Sequence, residues 1–191
     1  IKGMMYGRPD LVHQILEINA QTTIQYLNEQ IRAGAQAAMI FDSWGGVMAD
    51  TLFQEFSLAY TKKVVDGLIR DNDGRRVPVI VFTKGGGQWL EDIVQCGADA
   101  VGVDWTVNLT RARQRLQDQV AFQGNMDPMV MFGGAEAVTK EVRRVIDDFG
   151  VVGKGGHVFN FGHGISQFTD PEMVKVLVDE VHSYSAKMHQ A

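Results

Sequence analysis

Cysteine is nearly absent from this sequence, since Cys96 is the only one among 191 residues. A single thiol excludes an internal disulfide and a zinc site built from several cysteines, and it suits a reducing compartment such as the cytoplasm. No run of about eighteen apolar residues occurs, so no membrane-spanning helix is predicted. The net charge of −5 lacks the basic excess that a broad nucleic-acid surface needs. We therefore expect neither a membrane nor a nucleic acid as partner.

The motifs of nucleotide and metal sites are also missing. Glycine is abundant, with 21 residues, yet the glycines at 45–46 and 85–87 fit neither the G-x-G-x-x-G spacing nor a P-loop. They are more typical of tight strand-to-helix turns, because glycine tolerates positive φ. No set of histidine, aspartate and glutamate has the spacing of metal ligands, so no metal site is predicted.

What the sequence does contain is an alternation of predicted helices and strands. Helices are predicted at 10–32, 50–71, 86–96, 108–117, 136–149 and 171–189, strands at 37–42, 78–83, 99–104, 119–124 and 157–161, and a loop at 71–74. This alternation predicts an α/β fold with parallel strands and right-handed crossovers. Periodicity by itself leaves two architectures open, an open five-stranded sheet and part of a (β/α)8 barrel.

Each predicted strand runs directly into polar residues and glycines. These groups are Asp42–Gly46, Thr83–Gln88, Asp104–Thr106, Gln123–Pro128 and Asn160–Gly164. In both architectures the carboxyl ends of the strands form the edge where ligands bind. We therefore expect these groups to form the rim of a pocket.

Two rim residues are the strongest candidates for ligand contacts. His163 lies between two glycines and can donate a hydrogen bond to an anionic ligand. Ser43 offers a hydroxyl for binding rather than for nucleophilic attack, because no G-x-S-x-G motif surrounds it. Asp42 and Asp104 are either acids or bases of a reaction or carboxylates that hold the loops together. Lys84 is either an anion contact or a solvated lysine at the rim.

Taken together, five segments resemble one known family. The segments GAQAAMIFDSWGG, FTKGGGQWLEDI, GADAVGVDWT, QGNMDP and HVFNFGHGI, the last followed by DPE, occur in order. They resemble the uroporphyrinogen decarboxylase family in its bacterial form, with similar spacing over essentially the whole chain. No single segment is diagnostic, whereas five in sequence are highly specific.

The resemblance implies a fold and an assembly. It implies that residues 1–191 belong to one (β/α)8 TIM-barrel domain, of which they form the C-terminal five-eighths with strands 4–8. The three N-terminal βα units are then missing from this chain. The resemblance also implies a homodimer located in the cytoplasm.

The resemblance further implies an enzyme of porphyrin and heme biosynthesis. Its reaction is the cofactor-free decarboxylation of the four acetate side chains of uroporphyrinogen III, which gives coproporphyrinogen III. By the match to F-D-S/T-W-G-G and G-H-G, Ser43 and His163 are expected to bind the substrate. The catalytic aspartate of the family, an arginine-bearing loop and a tyrosine are expected before Ile1. No catalytic residue is therefore expected within this chain, and the chain alone is expected to be inactive.

Two alternatives remain open. The first is the cobalamin-dependent methyltransferase branch of the same family, which holds zinc with histidine and cysteine. Its H-x-C pattern is absent and Cys96 lies on a predicted helix, which argues against this branch. The second is a partial barrel that associates with a partner or with its own missing half and has no activity.

Overall fold

The computed structural model describes residues 1–116, 119–151 and 155–190. It divides into two compact units, Ile1–Val101 and Gly102–Ala191. None of the helices in these described ranges is long and apolar enough to cross a membrane.

The first unit alternates helices with strands. Its elements are α1 (Lys2–Gly7), α2 (Pro9–Arg32), β1 (Ala38–Asp42), a 3-10 turn (Gly45–Val47), α3 (Asp50–Leu52), a π-helical segment (Phe53–Leu58), α4 (Ala59–Asp66), β2 (Asp71–Asn72), β3 (Arg75–Arg76), β4 (Val79–Thr83), a 3-10 turn (Gly86–Trp89), α5 (Leu90–Val94) and β5 (Ala100–Gly102), which ends at the unit boundary.

Helix α2 confirms the prediction at 10–32. Pro9 and Asp10 occupy its first turn. A backbone N–H has no partner within the helix at this position, so proline costs no hydrogen bond, and the acid complements the helix dipole. Gly34, with φ of 107°, ends it. The preceding helix α1 was not predicted, because six residues without a capping side chain give no periodic pattern.

The helix predicted at 50–71 is shorter than expected. It runs through α3, the π-helical segment and α4, and it ends at Asp66. The amide of Gly67 still bonds back to the carbonyls of Lys63 and Val64. The chain then leaves the helix because Asn28 of α2 accepts a hydrogen bond from the amide of Ile69 at 2.8 Å.

The loop predicted at 71–74 is wrong in detail. Residues of β2 and β3 pair antiparallel, Asp71 with Arg76 and Asn72 with Arg75. The two turn residues, Asp73 and Gly74, have φ of 55° and 75°. An Asp-Gly pair with both φ positive is typical of a two-residue β-hairpin, so this segment is a short hairpin rather than an irregular loop.

The sheet of the first unit has β4 between β1 and β5. Strands β1 and β4 are parallel, with Ala38 opposite Val79 and Asp42 opposite Thr83. The strands predicted at 37–42 and 78–83 are thereby confirmed, whereas the one predicted at 99–104 is reduced to three residues. The helix predicted at 86–96 is a 3-10 turn followed by α5, which ends at Val94.

The second unit consists of the remaining helices and strands, which again alternate. Its elements are α6 (Leu109–Leu116), β6 (Ala121–Met126), a 3-10 turn (Pro128–Phe132), α7 (Gly134–Phe149), β7 (His157–Phe161) and α8 (Pro171–Gln190). These bounds confirm the predicted helices at 136–149 and 171–189 and the predicted strand at 157–161. The helix predicted at 108–117 is observed, except that residue 117 lies outside the described residues.

Strands β6 and β7 are parallel, with Phe122 opposite His157 and Met126 opposite Phe161. This pairing places β6 two residues later than the predicted strand at 119–124. The amide of Val103, just after β5, donates to the carbonyl of Gln123 at 2.8 Å. The predicted start of α8 is confirmed, since the Asp170 carboxylate accepts from the amide of Glu172 at 2.9 Å.

The chain therefore has an α/β fold with a parallel sheet, as the alternation predicts. Strand and helix interiors supply the buried residues of each unit. Examples are Val79 and Val81 of β4, Phe122 of β6, and Val138 and Val142 of α7. The ends of the strands, which leave this core, position the candidate site.

Candidate functional site

At the end of β1 the Asp42 carboxylate shapes the turn that carries Ser43. One oxygen accepts hydrogen bonds from the amides of Trp44 at 3.3 Å and Gly45 at 2.8 Å. The other oxygen accepts from the hydroxyl of Ser57. These bonds give Asp42 the loop-holding role, one of the two alternatives that the sequence left open.

Ser43 presents its hydroxyl at this rim. The side chain is partly buried, and the adjacent Trp44 is exposed over 75% of its surface. No hydrogen-bond partner of the Ser43 hydroxyl occurs among the residues that the structure describes. The group is therefore available to a ligand, as either donor or acceptor.

The turns after β1 and β4 lie against each other through their glycines. The amide of Gly46 donates to the carbonyl of Lys84 at 3.0 Å, and the amide of Lys84 donates to the carbonyl of Asp42 at 3.0 Å. A β-carbon added at Gly46 would lie 2.6 Å from the α-carbon of Gly85, whose φ is 73°. The glycine runs thus serve tight turns and close backbone contact, as predicted.

In the second unit, Asp104 follows β5 and is 2% exposed. Its Oδ1 accepts from the amide of Thr106 at 2.8 Å and from the hydroxyl of Thr106 at 2.5 Å. The amide of Val107 donates to the Asp104 carbonyl at 3.1 Å and closes the turn. Asp104, like Asp42, holds a loop by these bonds.

His163 follows β7, lies between Gly162 and Gly164, and is exposed. The amide of Gly162 donates to the carbonyl of Met126 at 2.8 Å, at the end of β6. A β-carbon at Gly162 would lie 2.5 Å from the amide nitrogen of Trp105 and 2.8 Å from the α-carbon of Asp104. Only glycine allows this approach, so the residue before His163 rests directly on the turn after β5.

The predicted site residues thus fall into two groups. Ser43 lies with Asp42 and Lys84 in the first unit, and in the second unit His163 follows Gly162, which packs against Asp104. Sequence reasoning missed Ser57 as the partner of Asp42, because a serine inside a helix gives no signal of its own. It also did not single out Asn125, which is buried near the end of β6, although the polar end of a buried strand was a usable signal.

Two titratable side chains with no predicted role have shifted pKa values. Burial lowers the pKa of His157, although its Nε2 lies 2.7 Å from the carbonyl oxygen of Gly124. Burial raises the pKa of the Cys96 thiol, which disfavours the thiolate that a metal would need. Among the described residues, no group of three or more histidines, cysteines and acids could hold a metal ion.

In each unit, polar residues and glycines follow the strands, and the carboxyl ends of parallel strands are where α/β enzymes commonly bind ligands. Comparison with known proteins gives the family. The sequence model of uroporphyrinogen decarboxylase (URO-D) matches residues 1–184. The chain belongs to the uroporphyrinogen decarboxylase family.

Individual relatives agree with this assignment. A uroporphyrinogen decarboxylase of Bordetella pertussis is 70% identical over 99% of this chain and 53% of its own length. One of Cupriavidus pinatubonensis is 60% identical over 98% of this chain and 52% of its own length. The chain thus spans about half the length of the curated relatives it matches.

A solved structure supports the fold alone. A methyltransferase from Methanosarcina mazei superimposes with a TM-score of 0.82 at 20% identity, covering 96% of this chain and 52% of that one. At this identity the likeness extends to the fold and not to the reaction.

Proposed function

We propose that this chain is part of a uroporphyrinogen decarboxylase, which removes the four acetate carboxylates of uroporphyrinogen III without a cofactor and forms coproporphyrinogen III. The observation that carries the proposal is 70% identity to a curated enzyme of that name over 99% of the chain. The chain would form strands 4–8 of one (β/α)8 barrel domain whose first three βα units lie outside it. The span of about half the relatives' length supports this placement.

The proposed chemistry uses the substrate itself as the electron sink. Protonation of a pyrrole carbon next to an acetate makes the ring cationic, and the electrons of the breaking C–C bond then return to the ring as CO2 leaves. The protein has to bind the anionic side chains, supply protons and stabilise the developing cation. We expect the proton-handling aspartate outside this chain.

Within the chain, Ser43 and His163 are the proposed substrate-binding residues. His163 would donate a hydrogen bond to a substrate carboxylate from its exposed position after β7. Ser43 would bind through a hydroxyl that has no partner in the described part of the chain. The Asp42 and Asp104 carboxylates would keep the two turns in place.

The proposal extends to partners and location. The substrate would be uroporphyrinogen, the intact protein would form a homodimer, and it would act in the cytoplasm. The net charge of −5 fits a protein without a nucleic-acid or membrane partner.

The test is substitution of both residues in the intact protein, with decarboxylation products followed by chromatography. His163→Asn should lower kcat/KM by about 10- to 150-fold, because a hydrogen bond to a charged group contributes about 1.5–3 kcal/mol. The same substitution at the exposed His182 of α8 is the matched control and should change nothing. Wild-type kinetics of the His163 variant on every acetate would refute its binding role.

For Ser43 the threonine and alanine variants form the matched pair. Ser43→Thr keeps the hydroxyl and should remain active, whereas Ser43→Ala should be impaired but measurable. A covalent substrate adduct on Ser43, detected by mass spectrometry after turnover, would contradict binding and indicate nucleophilic catalysis.

A further inference from the structure

Asn125 lies near the end of β6 and is 2% exposed. Its Nδ2 donates to the carbonyl of Asp104 at 2.9 Å and to the carbonyl of Val107 at 2.6 Å. Only the amide nitrogen can donate to two carbonyl oxygens, so the orientation of the side chain is fixed. Asn125 therefore connects both ends of the turn that follows β5.

The other side of this amide is unsatisfied. Within the described ranges, no donor reaches Oδ1 of Asn125. A buried acceptor without a donor destabilises the folded state, so stability by itself does not account for an amide at this position. Locally unfavourable groups of this kind are concentrated at functional sites.

The turn that Asn125 holds is the support of the His163 segment. The hypothetical β-carbon at Gly162 would lie 2.5 Å from the amide nitrogen of Trp105 and 2.9 Å from the carbonyl carbon of Asp104. A displacement of this turn therefore moves the backbone that carries His163. Asn125 is thus connected to His163 through Asp104 and Gly162.

We propose that Asn125 is a positioning residue for the candidate site: its two donated hydrogen bonds fix the Asp104–Val107 turn, and this turn fixes the place of His163. The inference rests on the proposed function, since His163 has to bind substrate for its position to matter. Asn125 acts through the turn and is assigned no part in the chemical step.

The experiment compares variants of the intact protein. Asn125→Ala removes both donors, and kcat/KM should fall by up to about 100-fold, mostly through KM, as expected when a binding group is misplaced. Val142→Ala, which creates a cavity at the buried face of α7, is the control for an effect of lost stability alone on the kinetics. At comparable melting temperature the control should keep wild-type kinetics.

Asn125→Asp supplies a readout that a purely structural residue would not change. The carboxylate cannot donate to the two carbonyls, whereas the protonated acid can donate to one of them. Activity relative to wild type should therefore recover as the pH is lowered in the aspartate variant and not in the alanine variant. Where the alanine variant does not fold, this pH profile carries the test.

The outcomes separate the two proposals. If the wild-type protein decarboxylates uroporphyrinogen and the Asn125 variants match the Val142 control, Asn125 is structural only and the inference is overturned. If the wild-type protein has no such activity, the proposed function fails, and the inference fails with it.

Discussion

Gly162→Ala tests the packing on which the His163 segment depends. The new β-carbon would lie 2.5 Å from the amide nitrogen of Trp105, whereas ordinary contact begins at 3.4 Å. The backbone therefore has to separate by about 0.9 Å, the difference between these two values. Two further contacts, with the α-carbon and carbonyl carbon of Asp104 at 2.8 and 2.9 Å, oppose the same movement.

The expected cost lies at the upper end of overpacking, about 3 kcal/mol, because the obstructing atoms belong to the backbone and cannot change rotamer. With an m-value of about 2–3 kcal/mol/M, the urea midpoint should fall by about 1–1.5 M. Because the added atom moves the residue before His163, the KM for uroporphyrinogen should also rise. Urea unfolding followed by tryptophan fluorescence, together with steady-state kinetics on the intact protein, measures both effects.

The matched control lies on the other side of the histidine. A β-carbon at Gly164 meets nothing within 4 Å, so Gly164→Ala should change the free energy of unfolding by less than about 1 kcal/mol. Equal midpoints for Gly162→Ala and Gly164→Ala would refute the claim that Gly162 packs against the turn after β5.

Three further predictions concern other parts of the chain. Gly46→Ala should destabilise the protein by about 1–3 kcal/mol, because the new β-carbon meets the backbone of the turn after β4. Gly3→Ala, whose β-carbon meets nothing within 4 Å, should not destabilise it, and thermal unfolding of the two variants measures the difference. Burial lowers the pKa of His157 in the folded state below its ordinary value of 6.5. At pH values between the folded-state and unfolded-state pKa, the unfolded state therefore binds more protons, and stability falls as the pH falls, by at most about 1.4 kcal/mol per pH unit. The melting temperature of His157→Gln should lack this pH dependence, and a variant with the pH dependence of the wild type would contradict the prediction. Phe41 of β1 and Val158 of β7 are themselves 66% and 48% exposed, so the chain expressed alone should aggregate or unfold, and a soluble, cooperatively folding monomer would count against this.

Elements with strong periodicity were predictable from the sequence, and those that depend on distant contacts were not. Helix α2 has a proline start, apolar residues at helical spacing and a glycine end, and its observed bounds agree with the prediction. The end of α4 was misplaced because the hydrogen bond from Ile69 to Asn28 joins residues far apart in sequence. The short hairpin after it was missed because its strand residues are all charged or polar and give no alternation of apolar residues.

The candidate site divides in the same way. The positions of Ser43 and His163 at strand ends follow from the polar segments after predicted strands, while their binding roles stay predictions. The loop-holding roles of Asp42 and Asp104 needed hydrogen-bond geometry, since a carboxylate at a strand end suits either role. The unsatisfied oxygen of Asn125 depends on what surrounds it in three dimensions, which no local pattern encodes.

The most direct test of the central claim is a product analysis of the intact protein with uroporphyrinogen III under anaerobic conditions, after dialysis against a metal chelator. We predict release of four CO2 per substrate, with coproporphyrinogen III as the product and no added cofactor. Transfer of a methyl group from methylcobalamin, with no CO2 released from uroporphyrinogen, would contradict it and favour the methyltransferase branch of the family.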